Sequence, residues 1–190
     1  HVQHDDPVGR ANAKMSLGTV EIYAGHLDAA ESQLLESKAL FEVQGNLMGV
    51  AGALVNFAVA ALREKRFATV INAAQEALNI CLDMGSTYRS LWPQWILALT
   101  AQRANHHAEA VERCAAALID AATVESHDWQ ATLNYIAGFS SLSLGDIAAA
   151  SRHYQAAEAA ALAAQRNDMC WYSHVGQGWA SLAAGALDAA

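Results

Sequence analysis

Apolar residues along this chain recur at helical spacing, and no run alternates as a half-buried strand would. The stretch from Leu142 to Ala150 (Leu-Ser-Leu-Gly-Asp-Ile-Ala-Ala-Ala) predicts the end of one helix, a Gly145-Asp146 turn and the start of the next. Gly tolerates the left-handed conformation that closes a helix, and Asp at the N-cap accepts an orphan amide. Similar punctuation falls at Gly25-His26-Leu27-Asp28, Lys65-Arg66-Phe67, Asn105-His106-His107 and Gly185-Ala186-Leu187-Asp188, at 40-residue intervals. The pattern predicts helix pairs at about Gly9–Ala24 with Leu27–Gln44, Leu47–Glu64 with Phe67–Met84, Arg89–Ala104 with His107–Glu125, and Trp129–Leu144 with Ile147–Arg166. A last helix is expected over about Met169–Ala184, ended by the Gly185 turn. Pro93 allows the fifth helix to begin as late as Ser90, since proline belongs in a first turn. Residues 1–8 read as a frayed boundary segment.

Other columns keep the same period. Ala30, Val70, Ala110, Ala150 and Ala190 are preceded by the small residues Gly18, Ala58, Ala98, Gly138 and Gly178, and followed by Ser37, Ala77, Ala117 and Ala157. Small residues at fixed places let neighbouring helices approach closely. Leu34, Ala74, Cys114 and Tyr154 form a more variable packing column between them. An Ala-rich chain produces one such column by chance; three columns and an aligned turn point to stacked helix-turn-helix repeats.

With these columns and turns, the chain resembles tetratricopeptide (TPR) repeats. The family period is about 34 residues, whereas this one is 40. In that respect the chain is similar to the superhelical domains of bacterial LuxR/MalT-type signal-transduction ATPase regulators. The resemblance spans nearly the whole chain and implies an all-α fold, a right-handed superhelix of antiparallel helix pairs. The repeats would be about 9–45, 46–85, 86–126, 127–167 and 168–190, in a single array. Beginning at His1 and stopping inside a fifth hairpin, the chain reads as a fragment of a longer protein. Fold resemblance of this kind says little about function, because these repeats host many unrelated roles.

Composition narrows the function. A net charge of −8, with 19 acidic and 11 basic residues, argues against binding a phosphate backbone. The dispersed acids read as a solvated surface. Cys81, Cys114 and Cys170 read as buried apolar residues of a reducing, cytoplasmic compartment rather than a disulfide framework. The most apolar run, Leu47 to Leu62, is shorter than the ~18 residues of a spanning helix and carries Asn56, so no membrane partner is expected.

Chemical motifs are sparse. The chain has no phosphate-binding glycine loop, no Gly-x-Ser-x-Gly and no His-Glu-x-x-His. His106 and His107 are adjacent, and neighbours on a helix point about 100° apart, a poor geometry for metal ligation. They read as a turn residue and a packing residue. Cys170 and His174 stand i, i+4, yet nothing around them suggests an activated thiol. The expectation is binding rather than catalysis, with no catalytic residue, no cofactor and no metal.

The TPR resemblance implies that positions on the first helix of each pair line a concave groove. Met15, Val55, Trp95, Tyr135 and Val175 form one column; Thr19, Val59, Leu99, Phe139 and Trp179 form another, four residues on. Trp92 and Tyr172 share a third, and Asn56 adds a polar group. An exposed aromatic face of this kind marks a protein, peptide or small-molecule effector; a register shift would instead put these residues in the core. Arg63 and Arg103 read either as anion contacts or as cations placed at helix C-termini. The expected function is a protein- or ligand-binding sensor domain of a bacterial signalling or transcription-regulatory protein. The alternatives are a passive scaffold for a partner helix or peptide, and a homo-oligomerisation module.

Overall fold

The computed structural model describes residues 6–188, with side chains through Gly185. Expectations for residues 1–5 and for Ala190 lie outside the described residues. Among the described residues there are nine helices and no strand. They are α1 (Pro7–Ala24), α2 (Leu27–Val43), α3 (Leu47–Arg63), α4 (Phe67–Asp83), α5 (Thr87–Arg103), α6 (His107–Thr123), α7 (His127–Ser143), α8 (Ile147–Ala163) and α9 (Asn167–Asp188). Short links make sequential helices antiparallel neighbours.

One turn design joins all of these helices. A single left-handed residue follows each of α1 to α8: Gly25, Gly45, Lys65, Gly85, Asn105, Glu125, Gly145 or Gln165. The left-handed residue's amide bonds back to the carbonyl three residues earlier, and the following amide to the carbonyl five residues earlier. In the first turn these are Gly25 N to Ile22 O (3.2 Å) and His26 N to Glu21 O (3.0 Å). The last turn repeats them with Gln165 N to Leu162 O (3.1 Å) and Arg166 N to Ala161 O (2.8 Å). Orphan carbonyls are thereby satisfied at each helix end. Where the next residue is Asp146 or Asn46, its side chain accepts the amide of Ala149 or Gly49, each at 2.9 Å. His26, Arg66, His106 and Ser126 occupy the same place without a side-chain cap.

The chain divides into two compact units that meet within α5, between Ile96 and Leu97. In the first unit α1 packs on α2 and α3, α2 on α3, and α3 on α4. In the second, α6 packs on α7, α7 on α8 and α9, and α8 on α9. The small-residue columns form the centres of both. Ala30, Val70, Ala110 and Ala150 are fully buried, as are Ser37, Ala77, Ala117 and Ala157. The variable column between them, Leu34, Ala74, Cys114 and Tyr154, is also buried. Its large members stand against glycines: a Cβ on Gly18 would lie 2.7 Å from Leu34 Cγ, and one on Gly138 2.9 Å from the Tyr154 ring. Gly176 lies against the same ring more tightly still. The Tyr154 hydroxyl is buried without a hydrogen-bond partner among the described residues.

Ion pairs tie successive repeats across the surface. Arg66 engages Glu31 and Glu64 in the first unit. In the second, Arg166 reaches Asp128 at 3.0 Å and Asp168 at 2.7 Å. The hydrogen bond from Arg166 holds the Asp168 carboxyl down, at about 2.

Five expectations need correction. Residues 6–8 are ordered structure: Asp6 accepts the Gly9 amide at 2.8 Å and Pro7 opens α1, where its missing N–H costs nothing. Helix α5 begins at Thr87, ahead of the expected start at about Arg89 and well before Ser90, so Pro93 is interior. The Gly85 turn sets that start, with Ser90 N already bonded to Ser86 O at 3.0 Å, and the buried Pro93 simply leaves the Arg89 carbonyl without its usual donor. Helix α9 runs through Gly185 to Asp188. Glycine permits a left-handed turn without imposing one, and the flanking alanines favour continued helix. Gly178 is exposed, and the close approach expected there belongs to Gly176. Cys170 is only partly buried, unlike Cys81 and Cys114.

Glu125→Gly and Gln165→Gly should each raise stability by about 0.5–1 kcal/mol in urea denaturation, because a left-handed non-glycine costs about 1–2 kcal/mol, partly offset by glycine's extra unfolded-state entropy. An unchanged or lower midpoint would show that these side chains make a compensating contact. Gly176→Ala should destabilise the chain by about 1–3 kcal/mol through overpacking against Tyr154. Most of that loss should vanish in a Tyr154→Leu background, and simple additivity in the double-mutant cycle would refute the packing account.

Candidate functional site

The expected groove residues fall into two groups, one in each unit. In the first unit Met15, Val55, Asn56 and Trp92 come together around a cleft of about 210 Å³. Five lining residues come from one stripe of α3: Met48, Ala51, Gly52, Val55 and Asn56, at i, i+3, i+4, i+7 and i+8. Met15 arrives from α1 and touches the Gly52 position, where a Cβ would sit 3.5 Å from its sulfur. Cys81 comes from α4, and Arg89 and Trp92, one turn apart, from α5. Trp92 is 48% exposed and meets Trp95 edge to face, with centroids 6.2 Å apart.

The remaining first-unit candidates do other work. Val59 packs beside Met15 against the Ile22–Ala30–Leu34–Ala60 core. Thr19 is half-buried and donates its hydroxyl to the Met15 carbonyl at 2.9 Å. Arg63 is exposed, with its guanidinium 5.9 Å from the centre of the Tyr23 ring. Arg103, in the second unit, is exposed at the end of α5.

In the second unit Tyr135 is the hub. Its ring lies 5.9 Å from Tyr154 and 5.7 Å from Tyr172, and Tyr172 meets Trp171 at 5.1 Å. Burial, and then the neighbouring Tyr172, push the Tyr135 phenol up. Tyr135 therefore belongs partly to the core, while Tyr172 and Trp179 are each 44% exposed. Phe139 is half-buried and stands 6.2 Å from the His107 ring, whose packing role the sequence anticipated. Leu99 and Val175 are half-buried.

Sequence reasoning missed Met48, Cys81 and Arg89. The α3 stripe was legible as helical spacing, and Arg89 as the residue one turn before Trp92; Cys81 depends on α4 packing and was not. Arg89 stands close enough to Cys81 to oppose the burial that raises the thiol. Among the described residues Arg89 has no carboxylate partner, and the Asn56 side chain has no hydrogen bond. His174 does not engage Cys170: its Nε2 lies 2.6 Å from Glu158 Oε1, and Gln177 Nε2 donates to the other oxygen at 2.7 Å. Those two hydrogen bonds hold the Glu158 carboxyl below its ordinary range. Among the described residues no cluster of His, Cys, Asp and Glu has metal-binding geometry, and no helix is long and apolar enough to cross a membrane.

At pH 8 a small thiol reagent followed by mass spectrometry should label Cys170 first, Cys81 more slowly and Cys114 last. Cys170 is partly exposed, burial raises the Cys81 thiol, and burial pushes Cys114 up to about 12. Early labelling of Cys114 would contradict the packed centre of the second unit.

No family model matches the chain, and no curated protein matches it in sequence. Solved structures do match in fold. Aspartyl phosphate phosphatase F from Bacillus subtilis superposes with a TM-score of 0.84 at 11% identity, over 96% of this chain and 49% of that one. A Rap protein complexed with competence and sporulation factor gives 0.75 at 20%, over 94% and 52%. The apo form of RapI gives 0.77 at 14%, over 91% and 48%. The chain thus spans about half the length of these proteins, and the likeness is one of fold: an all-α, TPR-like helical repeat.

Proposed function

We propose that this chain is an interaction domain of a bacterial signalling or transcription-regulatory protein. It binds a protein, peptide or small effector through the faces of its odd-numbered helices, in the cytoplasm, and works by binding rather than catalysis. The observation that carries the reading is aromatic. Within each unit, a partly packed ring (Trp95, Tyr135) is continued outward by an exposed one (Trp92, Tyr172) on the odd-numbered helices, and Trp179 is exposed on α9. Rings held from one side by the core lose little freedom on binding, so an apolar partner segment gains contact area at low entropic cost. Such faces suit a partner helix or extended peptide.

The fold likeness supports the same reading. One of the similar structures is a complex with competence and sporulation factor, and the proposed role is of that general kind. The resemblance to LuxR/MalT-type regulators, with helices starting at Pro7, Leu47, Thr87, His127 and Asn167, points to the same class of protein.

A displayed random-peptide library selected on this chain tests the reading. Each selected peptide should bind the variant of the unit it contacts, Trp95→Ala in the first or Tyr135→Ala in the second, at least about tenfold more weakly, the loss expected of aromatic anchors. All should retain affinity for Leu35→Ala, which removes an exposed side chain from α2, an even-numbered helix. Equal losses in all three variants, or losses only in Leu35→Ala, would overturn it.

A further inference from the structure

We propose that the first-unit cleft is a site for a compact apolar monocarboxylate, a small molecule of the arylacetate class, with Arg89 receiving the carboxylate. This goes beyond the partner-binding reading and does not depend on it.

Size sets the first limit. The cleft holds about 210 Å³, below the ~300 Å³ or more of pockets for drug-sized ligands. A cavity of about 150 Å³ suffices for benzene, so one ring with a short acidic arm fits the space. Chemistry sets the second. Met15, Met48, Val55 and Trp92 supply an apolar wall with two thioethers and an indole, surfaces that suit an aromatic or branched aliphatic body.

Two polar groups then orient the ligand. The Arg89 guanidinium lines the cleft without a carboxylate partner among the described residues, and the Asn56 amide lines it without a hydrogen bond. A planar guanidinium matches a carboxylate with two parallel hydrogen bonds. Asn56 offers a donor and an acceptor for a further polar atom.

The lining excludes close alternatives. A single cation in a chain of net charge −8 is a poor match for a phosphate dianion. No Asp or Glu lines the cleft, so the ammonium group of a free amino acid would find no counter-charge there.

The probes are phenylacetate, phenylacetamide, phenylalanine and N-acetyl-Ala-Phe, titrated into the full ¹⁵N-labelled chain. The readouts are the Trp92 indole and Asn56 side-chain amide resonances. Phenylacetate should shift both in a saturable way, and phenylacetamide should bind about tenfold or more weakly, because it loses the charge-assisted bonds. Arg89→Gln, at an exposed position, should leave the remaining spectrum intact and abolish the difference between acid and amide. Arg89→Lys should restore part of it.

Equal binding of acid and amide, an undiminished preference in Arg89→Gln, or no saturable shift by phenylacetate would overturn the proposal. Tenfold tighter binding of N-acetyl-Ala-Phe would assign the cleft to a chain terminus instead, and tighter binding of phenylalanine would show an unrecognised counter-charge. The library selection above reads Trp95 and Tyr135, which do not line the cleft, so the two readings can fail separately.

Discussion

The turn is the constraint on which the rest depends. A left-handed residue and two reversed backbone hydrogen bonds end each of α1 to α8 in the same way, and among the described residues seven of the nine helices are 17 residues long. Equal lengths keep the packing columns in step from one pair to the next. Were one turn to slip by a residue, the next helix would rotate by about 100°, taking its small residues out of the contact and its polar residues into it. The four non-glycine residues that adopt φ of 52–62° show how firmly this geometry is imposed. The surrounding helices hold Lys65, Asn105, Glu125 and Gln165 in a conformation that disfavours most L-residues.

Within that frame, packing is conserved as a sum rather than residue by residue. Leu34 sits against Gly18 and Tyr154 against Gly138 and Gly176, whereas the equivalent Ala74 and Cys114 are fully buried in repeats that carry Ala58 and Ala98. The volume of one helix is traded against that of its neighbour, which keeps interiors dense without identical sequence. At Tyr154 the trade leaves a hydroxyl in the core without a protein partner among the described residues. A buried unpaired hydroxyl is unfavourable, and the ring contacts with Tyr135, Gly138 and Gly176 offset it.

The same packing determines what remains for binding. The aromatic residues on odd-numbered helices divide between core and surface: Tyr135 is shared, while Trp92, Tyr172 and Trp179 project further. Val59 and Thr19 are spent on core packing and an intrahelical hydrogen bond. Arg63 is engaged by Tyr23. Arg89, absent from the periodic columns, is the cation that the first-unit cleft presents.

The sequence by itself determined the helices, their turns and the buried columns. Those features rest on local periodicity, on glycine and Asx chemistry, and on small residues that must recur wherever helices touch. Four of its groove candidates, Met15, Val55, Asn56 and Trp92, meet around the first-unit cleft. The sequence did not determine which candidates stay exposed, that α9 continues through Gly185, how Pro93 is accommodated, or that Met48, Cys81 and Arg89 join Asn56 and Trp92 around one cleft. Those outcomes depend on how much of each side chain a neighbouring helix covers, and that coverage is a property of helices packed in three dimensions rather than of spacing along the chain.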